Sequence, residues 1–490
     1  MDTSARGAGD DSAKEAPGAS APPLCVDLDG TLIHSDLLLE SGLALVKRNP
    51  LYVFAMLLWL LHGRANLKRR IAERVTLDIA TLPWDERVVR LLGDERAQRA
   101  LVLCTASDER LAAAVARHLD CFARVLASDG VHNLSGRRKA AALIGAYGEH
   151  GFDYVGNEAR DLAIWAHARR AYVVNASTAL AERAGTISEV AVSLPRRRAG
   201  VRVWLKALRL HQWAKNALVF APLLAAHKLL QAPALANAVA AFLIFGLCAS
   251  GVYVLNDLLD LAADRSHPRK RKRPFAAGRL PLTAGLAVAP TLTVVAFIAA
   301  YVLTPRFALV LLGYYVLTLA YSFKLKQIAM LDVLVLAALY TLRIIAGTVA
   351  IHVASSFWLL AFSMFLFLSL ALVKRYTELM AQRDTGKDAT PGRGYALADA
   401  GLLASLGGAS GYLSVLVLAL YIDSTASAAL YRHPQWLWLM CPLLLYWVSR
   451  VWIIAHRGAM DDDPVVFAIK DTVSRIVLVL AAAVVVVAIL

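Results

Sequence analysis

The chain has 490 residues, of which 58% are hydrophobic, and it carries a formal net charge of +15. So large an apolar fraction excludes a wholly soluble protein, and a basic charge on such a chain favours an anionic membrane surface and phosphorylated substrates over nucleic acid. The five cysteines show no metal-type spacing, so we expect reduced core residues and no disulfide.

The composition of the chain changes near residue 196. Residues 1–22 are rich in Ala, Gly, Ser, Asp and Pro, which is typical of a disordered tail. Residues 23–195 show a mostly soluble alternation of strand and helix patterns, and apolar segments recur over residues 196–490. We therefore expect a soluble α/β domain followed by a membrane domain.

The first predicted strand, at 24–26, runs directly into the sequence Asp-Leu-Asp-Gly-Thr, which begins at Asp27. A second apolar strand, at 101–104, ends at the hydroxyl of Thr105. This pattern resembles the haloacid dehalogenase (HAD) phosphohydrolase superfamily over the whole soluble part, which implies a Rossmannoid α/β fold with a helical cap. The resemblance also implies that Asp27 attacks phosphorus, that Asp29 protonates the leaving group and later activates water, and that Thr105 binds phosphate.

Two further segments match the same superfamily. Lys139, after a Gly-Arg-Arg run, fits the lysine that neutralises the intermediate. Segment 153–161 fits the last acidic motif, but Asn157 stands where an Asp is expected. The missing charge leaves two interpretations open, an active phosphatase or a degenerate domain with a scaffolding or regulatory role. The implied Mg²⁺ ligands are Asp27, Asp29 and Asp161.

Residues 36–95 show helical patterns, and the resemblance makes them the helical cap. They include an apolar run at 51–61 that is too short to span a bilayer. Basic residues flank this run on both sides, which favours a helix lying in the membrane interface. A wholly buried cap helix is the alternative.

Nine apolar segments of the second half are candidate membrane spans, most of them near the roughly 20 residues that a bilayer requires. They lie at about 216–229, 234–255, 283–303, 306–322, 331–350, 357–373, 401–421, 435–455 and 474–490.

Basic residues alternate between the loops that join these segments. Residues 256–281 carry seven Lys or Arg, residues 374–393 carry five and residues 450–475 carry four, whereas the intervening loops hold almost none. The positive-inside rule then predicts nine spans with a cytoplasmic N-terminus. We expect a multi-pass protein of the inner (plasma) membrane with its soluble domain in the cytoplasm.

The most informative segment follows the second predicted span. It reads Asn-Asp-Leu-Leu-Asp-Leu-Ala-Ala-Asp, and a basic run at 269–273 comes soon after it. On a helix, Asn256, Asp260 and Asp264 would project from one face. Such hard oxygen ligands suit Mg²⁺, which commonly also takes oxygens from a substrate phosphate. The predicted Mg²⁺ ligands are Asn256, Asp257, Asp260 and Asp264, and they indicate diphosphate chemistry on a lipid.

The membrane half resembles the UbiA superfamily of intramembrane prenyltransferases, whose hallmarks are an all-α nine-helix transmembrane bundle and this acidic motif. Three segments, 208–216, 267–278 and 457–468, are most similar to the decaprenyl-phosphate phosphoribosyltransferases of that superfamily. The resemblance implies that 5-phosphoribose passes from phosphoribosyl diphosphate to a polyprenyl phosphate, which gives a cell-wall precursor and free diphosphate. The candidate catalytic residues of this transfer are Asn256, Asp260 and Asp264.

The same resemblance assigns roles to the basic side chains. Candidates for clamping the diphosphate or the 5-phosphate are Lys270, Arg271 and Arg273. Candidates for the lipid phosphate are Lys215, Lys326, Lys374 and Arg375. Arg343 lies within an apolar segment, so it is either a substrate-binding residue or half of a buried ion pair with Asp332.

Together the two halves predict a membrane-embedded transferase whose product is dephosphorylated by the HAD-like domain. The alternative enzyme is a prenyltransferase that moves a polyprenyl group from its diphosphate to an aromatic or other small acceptor, and a transporter or scaffold is a third class. The expected partners are phosphoribosyl diphosphate, a polyprenyl phosphate and the membrane, and no nucleic acid is expected. The sequence leaves open whether the protein forms a homo-oligomer.

Overall fold

The computed structural model describes residues 21–196, 199–383, 394–460 and 464–490. Residues 1–20 of the predicted tail, and the acidic run at 461–463 within one of the three similar segments, lie outside the described residues. The chain forms two compact units. The first contains Met1–Ala207 and Asp257–Leu286, and the second contains Leu208–Asn256 and Ala287–Leu490.

A six-stranded parallel sheet forms the centre of the first unit, and its strand order is β3-β2-β1-β4-β5-β6. Strand β1 pairs with β2 on one side and β4 on the other, and Leu24 aligns with Leu101 and Asp153. The strands are β1 (Leu24–Val26), β2 (Leu101–Asp108), β3 (Arg124–Ser128), β4 (Asp153–Gly156), β5 (Arg170–Ala176) and β6 (Glu189–Pro195). The predicted Rossmannoid α/β fold is confirmed.

Helices cover both faces of this sheet. Asp36, Asp85, Asp108 and Ser177 accept backbone N–H bonds at the starts of four of them, which satisfies donors that a helix leaves open. The helices are α1 (Leu37–Arg48), α2 (Tyr52–Leu61), α3 (Arg64–Ala72), α4 (Glu86–Glu95), α5 (Glu109–Leu119), α6 (Arg137–Tyr147), α7 (Leu162–Trp165), α8 (Thr178–Gly185) and α9 (Val201–Ala207). Helices α1 to α4 lie between β1 and β2, where the helical cap is expected.

Two hydrophobic cores follow from the alternation of side chains along the strands. Leu24 and Val26 of β1 join one core with residues of α1, α4 and α5. Cys25, between them in sequence, joins the other core with residues of α6, α7 and α8. Because both faces are covered, the inner strands β1, β2, β4 and β5 are mostly buried, as is typical of parallel sheets, whereas the edge strands β3 and β6 are partly exposed.

Helix α2 corresponds to the apolar run at 51–61 and contains no buried residue. Tyr52, Met56 and Trp59 pack partly against Leu45 and neighbouring residues of a small core. The other side of the helix is exposed. The alternative of a wholly buried cap helix is therefore wrong, and the interfacial position stays a prediction.

The remaining helices belong mostly to the membrane half. They are α10 (Ala221–Ala225), α11 (Ala232–Leu259), α12 (Leu261–Arg265), α13 (Leu282–Leu303), α14 (Pro305–Phe323), α15 (Leu331–Ala350), α16 (Phe357–Arg383), α17 (Ala400–Ile422), α18 (Thr425–Leu430), α19 (Met440–His456), α20 (Pro464–Lys470) and α21 (Thr472–Ile489). Within the described residues, eight helical segments are long and apolar enough to cross a membrane.

These eight segments correspond to the second to ninth predicted spans. The first predicted span, 216–229, is not one α-helix. It is formed by the end of a 3-10 helix, Leu210–Phe220, and by the short helix α10. A 3-10 helix rises roughly 2.0 Å per residue, so its 11 residues extend about 22 Å. The prediction of nine apolar segments therefore fits the described residues roughly: eight are long helices, and the first is a 3-10 helix followed by a short α-helix.

Close packing in the second unit depends on small residues. A Cβ atom added at Gly407 of α17 would lie 2.1 Å from the ring of Trp452 in α19. The indole N–H of Trp452 donates to the hydroxyl of Ser369 in α16, and that hydroxyl donates to the carbonyl of Gly407. Small residues let three membrane helices approach closely, and the hydrogen bonds between them are protected from water.

Candidate active sites

The first candidate site forms where three neighbouring strands end. Asp27 and Asp29 follow β1, Thr105 and Ser107 lie at the end of β2, and Asp161 follows β4. Because parallel strands carry their carboxyl ends to one edge, the order β2-β1-β4 brings these side chains together.

A chain of hydrogen bonds connects Asp27 to Asp161. The ammonium of Lys139, only 4% exposed, donates to Oδ1 of Asp27 at 2.7 Å and to the hydroxyl of Tyr154 at 3.0 Å. The Tyr154 hydroxyl donates to Oδ1 of Asp161 at 3.2 Å, and Oδ2 of Asp161 accepts from two backbone N–H groups. A buried cation therefore offsets the negative charge of the Asp27 carboxylate.

Asp29 has different surroundings. Its Oδ1 accepts the backbone N–H of Leu37 at 2.8 Å, and its Oδ2 accepts the hydroxyl of Ser107 at 2.7 Å. Burial, followed by the charges of Asp36 and Asp27, raises the pKa of Asp29 to about 7. A carboxyl group that keeps its proton near neutral pH can donate that proton to a leaving group.

Asn157 lies against the turn that follows Asp29. A Cβ atom at Gly30 would come within 2.2 Å of the Asn157 side-chain nitrogen, and Gly30 has a φ of 74°. Oδ1 of Asn157 is buried and has no hydrogen-bond partner within the part of the chain that the structure describes. The backbone N–H of Asn157 binds Asp161. A buried oxygen on this residue fits a hard cation, because carboxylate and amide oxygens are ligands that Mg²⁺ accepts.

Two polar side chains of this site, Ser107 and Lys68, were not predicted from the sequence. Thr105 is buried and its hydroxyl accepts the N–H of Ser107, whose own hydroxyl donates to Asp29. Lys68, on α3 of the cap, donates to the carbonyl of Ala106 in β2. Burial lowers the pKa of Lys68. The helical pattern of the cap does not reveal which of its basic residues turns inward.

The second candidate site contains the acidic motif, and its geometry differs from the prediction. Helix α11 ends at Leu259 and α12 begins at Leu261, so Asp260 lies at an interruption between two helices. The prediction of one continuous helix through Asn256, Asp260 and Asp264 is therefore wrong at Asp260, and the roles of the three residues stay predictions.

A different pair of carboxylates comes together in the structure. Nη1 of Arg273 donates to Oδ1 of Asp257 at 3.2 Å and to Oδ2 of Asp264 at 2.6 Å. Both carboxylates are almost fully buried, and burial raises the pKa of Asp264 although Arg273 opposes this shift. Asp260 instead forms an ion pair with Lys47 of α1, with an Nζ–Oδ1 distance of 2.7 Å.

The convergence of Asp257 and Asp264 on one cationic atom fits a divalent cation. Across residues 21–196, 199–383, 394–460 and 464–490, no group of three or more His, Cys, Asp or Glu is placed to hold a metal ion. Mg²⁺ commonly binds one or two carboxylates and completes its octahedron with substrate phosphates and water. Two carboxylates are therefore a sufficient protein contribution for Mg²⁺ with a diphosphate.

The predicted phosphate-binding cations near this motif lie in two kinds of surroundings. Lys270 and Arg271 belong to a short 3-10 helix and are exposed. Arg273 is half-buried at the two carboxylates. The structure thus separates one cation that organises the acidic residues from two that face solvent.

Arg343 lies in α15 and is almost completely buried. Nε donates to the side-chain oxygen of Asn216 at 3.0 Å, and Nη2 donates to the hydroxyl of Tyr314 at 3.1 Å. The rings of Phe245, Tyr314 and Tyr340 surround the guanidinium within 6 Å, which supports a buried cation. The alternative that Arg343 pairs with Asp332 is wrong.

Asp332 pairs with Arg375 instead. The Arg375 guanidinium donates to Asp332, to Glu378 and, at 2.8 Å, to the hydroxyl of Tyr321. The hydroxyl of Tyr395 donates to the other oxygen of Asp332. Arg375 is only 1% exposed, so its contacts are those of a structural ion pair and do not favour the predicted role in binding a lipid phosphate.

The other predicted lipid-phosphate residues are all half-buried. Lys215 lies in the 3-10 helix Leu210–Phe220, Lys326 in the 3-10 helix Leu325–Gln327, and Lys374 in α16. Their roles stay predictions.

Comparison with known proteins gives the following matches. The model of the UbiA prenyltransferase family matches residues 217–470. The uncharacterized protein y4nM of Sinorhizobium fredii is 38% identical over 457 residues, which are 92% of this chain and 88% of that protein. The nodulation protein NoeC of Azorhizobium caulinodans is 38% identical over 55% of this chain and 87% of its own. Decaprenyl-phosphate phosphoribosyltransferase of Mycobacterium tuberculosis is 41% identical over 37% of this chain and 62% of that enzyme.

Solved structures resemble each half at low sequence identity. A UbiA homolog from Archaeoglobus fulgidus, bound to GPP and Mg²⁺, gives a TM-score of 0.44 at 16% identity and covers 58% of this chain and 99% of its own. A substrate-bound phosphoserine phosphatase gives 0.26 at 14% identity and covers 38% of this chain and 98% of its own.

Proposed function

The chain belongs to the UbiA prenyltransferase family, and we propose that it transfers 5-phosphoribose from phosphoribosyl diphosphate to a polyprenyl phosphate. This membership confirms the prediction of a membrane-embedded transferase. The observation that carries the proposed reaction is the convergence of buried Asp257 and Asp264 on one cationic position. The similarity to decaprenyl-phosphate phosphoribosyltransferase supports the choice of donor and acceptor.

The reaction breaks the bond between the anomeric carbon and the diphosphate oxygen. It forms a bond from the same carbon to an oxygen of the lipid phosphate, and diphosphate leaves with the electron pair. Mg²⁺ held by Asp257 and Asp264, with Asn256 and Asp260 as further candidate ligands, would supply positive charge to the departing diphosphate. The acceptor oxygen is already an anion, so positioning and charge stabilisation suffice and no strong base is needed.

Basic side chains have two proposed tasks in this transfer. Lys270 and Arg271 are exposed beside the acidic segment and would bind the phosphates of the donor, because charge-assisted hydrogen bonds to phosphate are strong. Arg273 would keep the two carboxylates in place before the substrate arrives. Lys215, Lys326 and Lys374 are the candidates for the lipid phosphate, and Arg343 is a further candidate substrate-binding residue.

We further propose that the α/β domain removes the 5-phosphate from the lipid-linked product. Asp27 would attack phosphorus and form an aspartyl phosphate, while Asp29 gives its proton to the departing ribose oxygen. Asp29 would then accept a proton from the water that hydrolyses the aspartyl phosphate. Lys139 offsets the charge at Asp27, and the orphaned oxygen of Asn157 supports a cation site despite the missing carboxylate. This arrangement favours the active phosphatase over the degenerate domain.

Both reactions would take place on the cytoplasmic side of the inner membrane. The basic loops after alternate spans support this orientation. Glu40 of α1 pairs with Arg265 of α12, which follows α11 in the chain, and this pairing requires both segments to lie on one side of the membrane. The extended 3-10 helix Leu210–Phe220 together with α10 gives the intervening chain about 30 Å of length, enough for the crossing that this arrangement needs.

Labelled substrates test the transferase proposal. The purified protein is incubated with Mg²⁺, polyprenyl phosphate and phosphoribosyl diphosphate labelled in the ribose, and lipid-soluble label is counted. We expect label in the lipid and an equal amount of diphosphate, both lost on chelation of Mg²⁺. Label that stays in the aqueous phase would overturn the proposal, and transfer of a labelled polyprenyl group from its diphosphate to an aromatic acceptor would select the prenyltransferase.

A further inference from the structure

Helix α2 presents an apolar surface that the proposed reactions do not use. Leu51, Phe54, Leu57, Leu58 and Leu61 are each more than half exposed, which is unusual for large aliphatic and aromatic side chains on one short segment. The opposite side of the helix packs on α1 and α3 of the cap. The exposed apolar side chains therefore do not contribute to the hydrophobic core of the unit.

Two observations identify what covers this surface. Lys47, four residues before Leu51, pairs with Asp260, which immediately follows a helix that is long and apolar enough to cross a membrane. The ion pair therefore connects the chain just before α2 to the residue that follows this apolar helix. Exposed Arg48, Arg64 and Arg70 flank the helix and complement anionic headgroups.

We propose that α2 lies in the headgroup region of the bilayer with its exposed apolar side chains inserted among the acyl chains. A ten-residue helix is about 15 Å long, too short to span, and a basic helix with an apolar side is the form that binds membranes in their plane. The docked helix would hold the cap, and with it the α/β site, close to the lipid-linked substrate.

Lipid-quenching fluorescence tests this docking independently of activity. Cys121 is replaced by Ser, since the other four cysteines are buried, and an environment-sensitive dye is attached to Leu57→Cys or to Val131→Cys. Val131 is the matched control, because it is also apolar and 77% exposed but lies in a loop elsewhere in the same unit. The protein is placed in vesicles of phosphatidylcholine and phosphatidylglycerol that contain doxyl-labelled lipid.

We expect strong quenching and a blue shift for the dye at position 57, and neither for the dye at position 131. Leu58→Glu should weaken the quenching at position 57, because it places a charge among the acyl chains. Equal quenching at the two positions, or none at position 57, would overturn the proposal. Energy transfer between dyes at position 57 of two molecules, without lipid quenching, would show that a second copy covers the surface instead.

A separate set of contacts connects α1 to the acidic segment. Buried Glu40 forms two hydrogen bonds with the guanidinium of Arg265, at 2.6 and 3.0 Å, and also accepts the hydroxyl of Ser35. Nε of Arg265 donates to the carbonyl of Ala276 at 2.9 Å. Arg265 is adjacent to Asp264 in sequence, and it closes the loop that carries Arg273.

We infer that Glu40 and Arg265 are positioning residues for the Mg²⁺ site of the proposed transferase. Their paired charges fix the segment from Asp264 to Ala276 and thereby the position of Arg273 between Asp257 and Asp264. This inference rests on the proposed function for the identity of the metal site. Loss of such an outer contact typically weakens metal binding by about 10- to 100-fold.

Metal affinity provides the test, and Glu40→Gln is compared with Glu73→Gln, which removes a carboxylate from an exposed ion pair. Binding of Mn²⁺ in place of Mg²⁺ is measured by electron paramagnetic resonance on the full-length protein carrying Asp27→Asn, which removes a ligand of the other candidate metal site. The Mg²⁺ concentration for half-maximal transfer is measured in parallel. We expect Glu40→Gln to weaken both by about tenfold or more, Glu73→Gln to leave both unchanged, and the exchange of Glu40→Arg with Arg265→Glu to restore part of the loss.

Unchanged Mn²⁺ affinity in a folded Glu40→Gln protein would overturn the inference. If the wild-type protein binds Mn²⁺ but transfers no phosphoribose, the proposed reaction fails while the positioning role is still measured by Mn²⁺ binding.

Discussion

Asp27 and Asp29 are two residues apart, yet their surroundings prepare them for different tasks. Asp27 shares a hydrogen bond with buried Lys139, whereas Asp29 accepts hydrogen bonds from two neutral donors, the hydroxyl of Ser107 and the N–H of Leu37. Asp29 has no such cationic partner in these hydrogen bonds, and burial raises its pKa to about 7. The spacing of the two residues could be recognised in the sequence, but this division of roles depends on β2 and α1, which are distant along the chain.

The first prediction concerns the pH dependence of Asp29. Because its pKa is raised, the protonated form is favoured by folding, so its contribution to stability is present below the ordinary pKa of Asp and is lost as pH rises through about 7. The acid function follows the same course. Formation of the aspartyl phosphate from an alkyl phosphate should therefore decline above about pH 7, as measured by rapid quench.

A comparison of two substrates distinguishes the loss of an acid catalyst from a general loss of structure at the site. Asp29→Asn should strongly slow the reaction with an alkyl phosphate, whose leaving group needs a proton, and should slow p-nitrophenyl phosphate much less. Equal losses with both substrates would contradict the assignment of Asp29 as the acid.

The second prediction concerns Asp257 and Asp264. Asp257→Asn or Asp264→Asn should each lower Mg²⁺-dependent release of diphosphate by about 100-fold, because each removes a negative charge from the cation site. Lys272→Gln, at an exposed position of the same basic run, is the control and should retain most activity. If the Asp257 variant is as active as the control, these two carboxylates do not form the metal site.

At the scale of the elements, polar groups between membrane helices give the second unit its internal order. Arg375 of α16 pairs with Asp332 of α15, and Tyr395 and Tyr321 complete the hydrogen bonds. Charged residues within apolar segments are functional candidates by default, and sequence alone could not tell which of Arg343 and Arg375 pairs with Asp332. The pairing is decided by how the helices pack, and the pattern of apolar residues does not specify which charged side chains of neighbouring helices meet.

The third prediction follows from this ion pair. Arg375→Gln should lower the free energy of unfolding by about 3–5 kcal/mol, because it leaves the Asp332 carboxylate buried without its cation. Thermal unfolding in detergent measures the change, and the apparent affinity for polyprenyl phosphate is measured in parallel. A stable Arg375→Gln protein with a weakened affinity for polyprenyl phosphate would instead restore Arg375 as a residue that binds the lipid phosphate.

The predicted elements were accurate where periodicity and length are strong signals. Apolar periodicity and segment length predict the strands beside Asp27 and Thr105 and the helical cap. They also predict the eight helices that, among the described residues, are long and apolar enough to span a membrane. The interruption of the helix at Asp260 and the 3-10 helix Leu210–Phe220 could not be predicted, because both positions also fit a regular α-helix. These departures matter most at the sites, where Asp257 and Asp264 share the guanidinium of Arg273 and Asp260 pairs with Lys47.

At the scale of the whole molecule, the chain combines two sites whose proposed reactions follow one another. The transferase would produce a lipid-linked ribose that still carries its 5-phosphate, and the α/β domain would remove that phosphate. Helix α1 contacts both sites, since its first residue binds Asp29 while Glu40 and Lys47 bind the acidic segment. This arrangement gives a physical reason for joining the two proposed activities in one chain.

Mass spectrometry of the lipid product tests this account most directly. Wild-type protein and Asp27→Asn are each incubated with Mg²⁺, phosphoribosyl diphosphate and polyprenyl phosphate. We predict polyprenyl-phosphoryl ribose from the wild type and its 5-phosphorylated form from Asp27→Asn, with equal total transfer. A lipid without ribose from the wild type, or the same products from both proteins, would contradict the account.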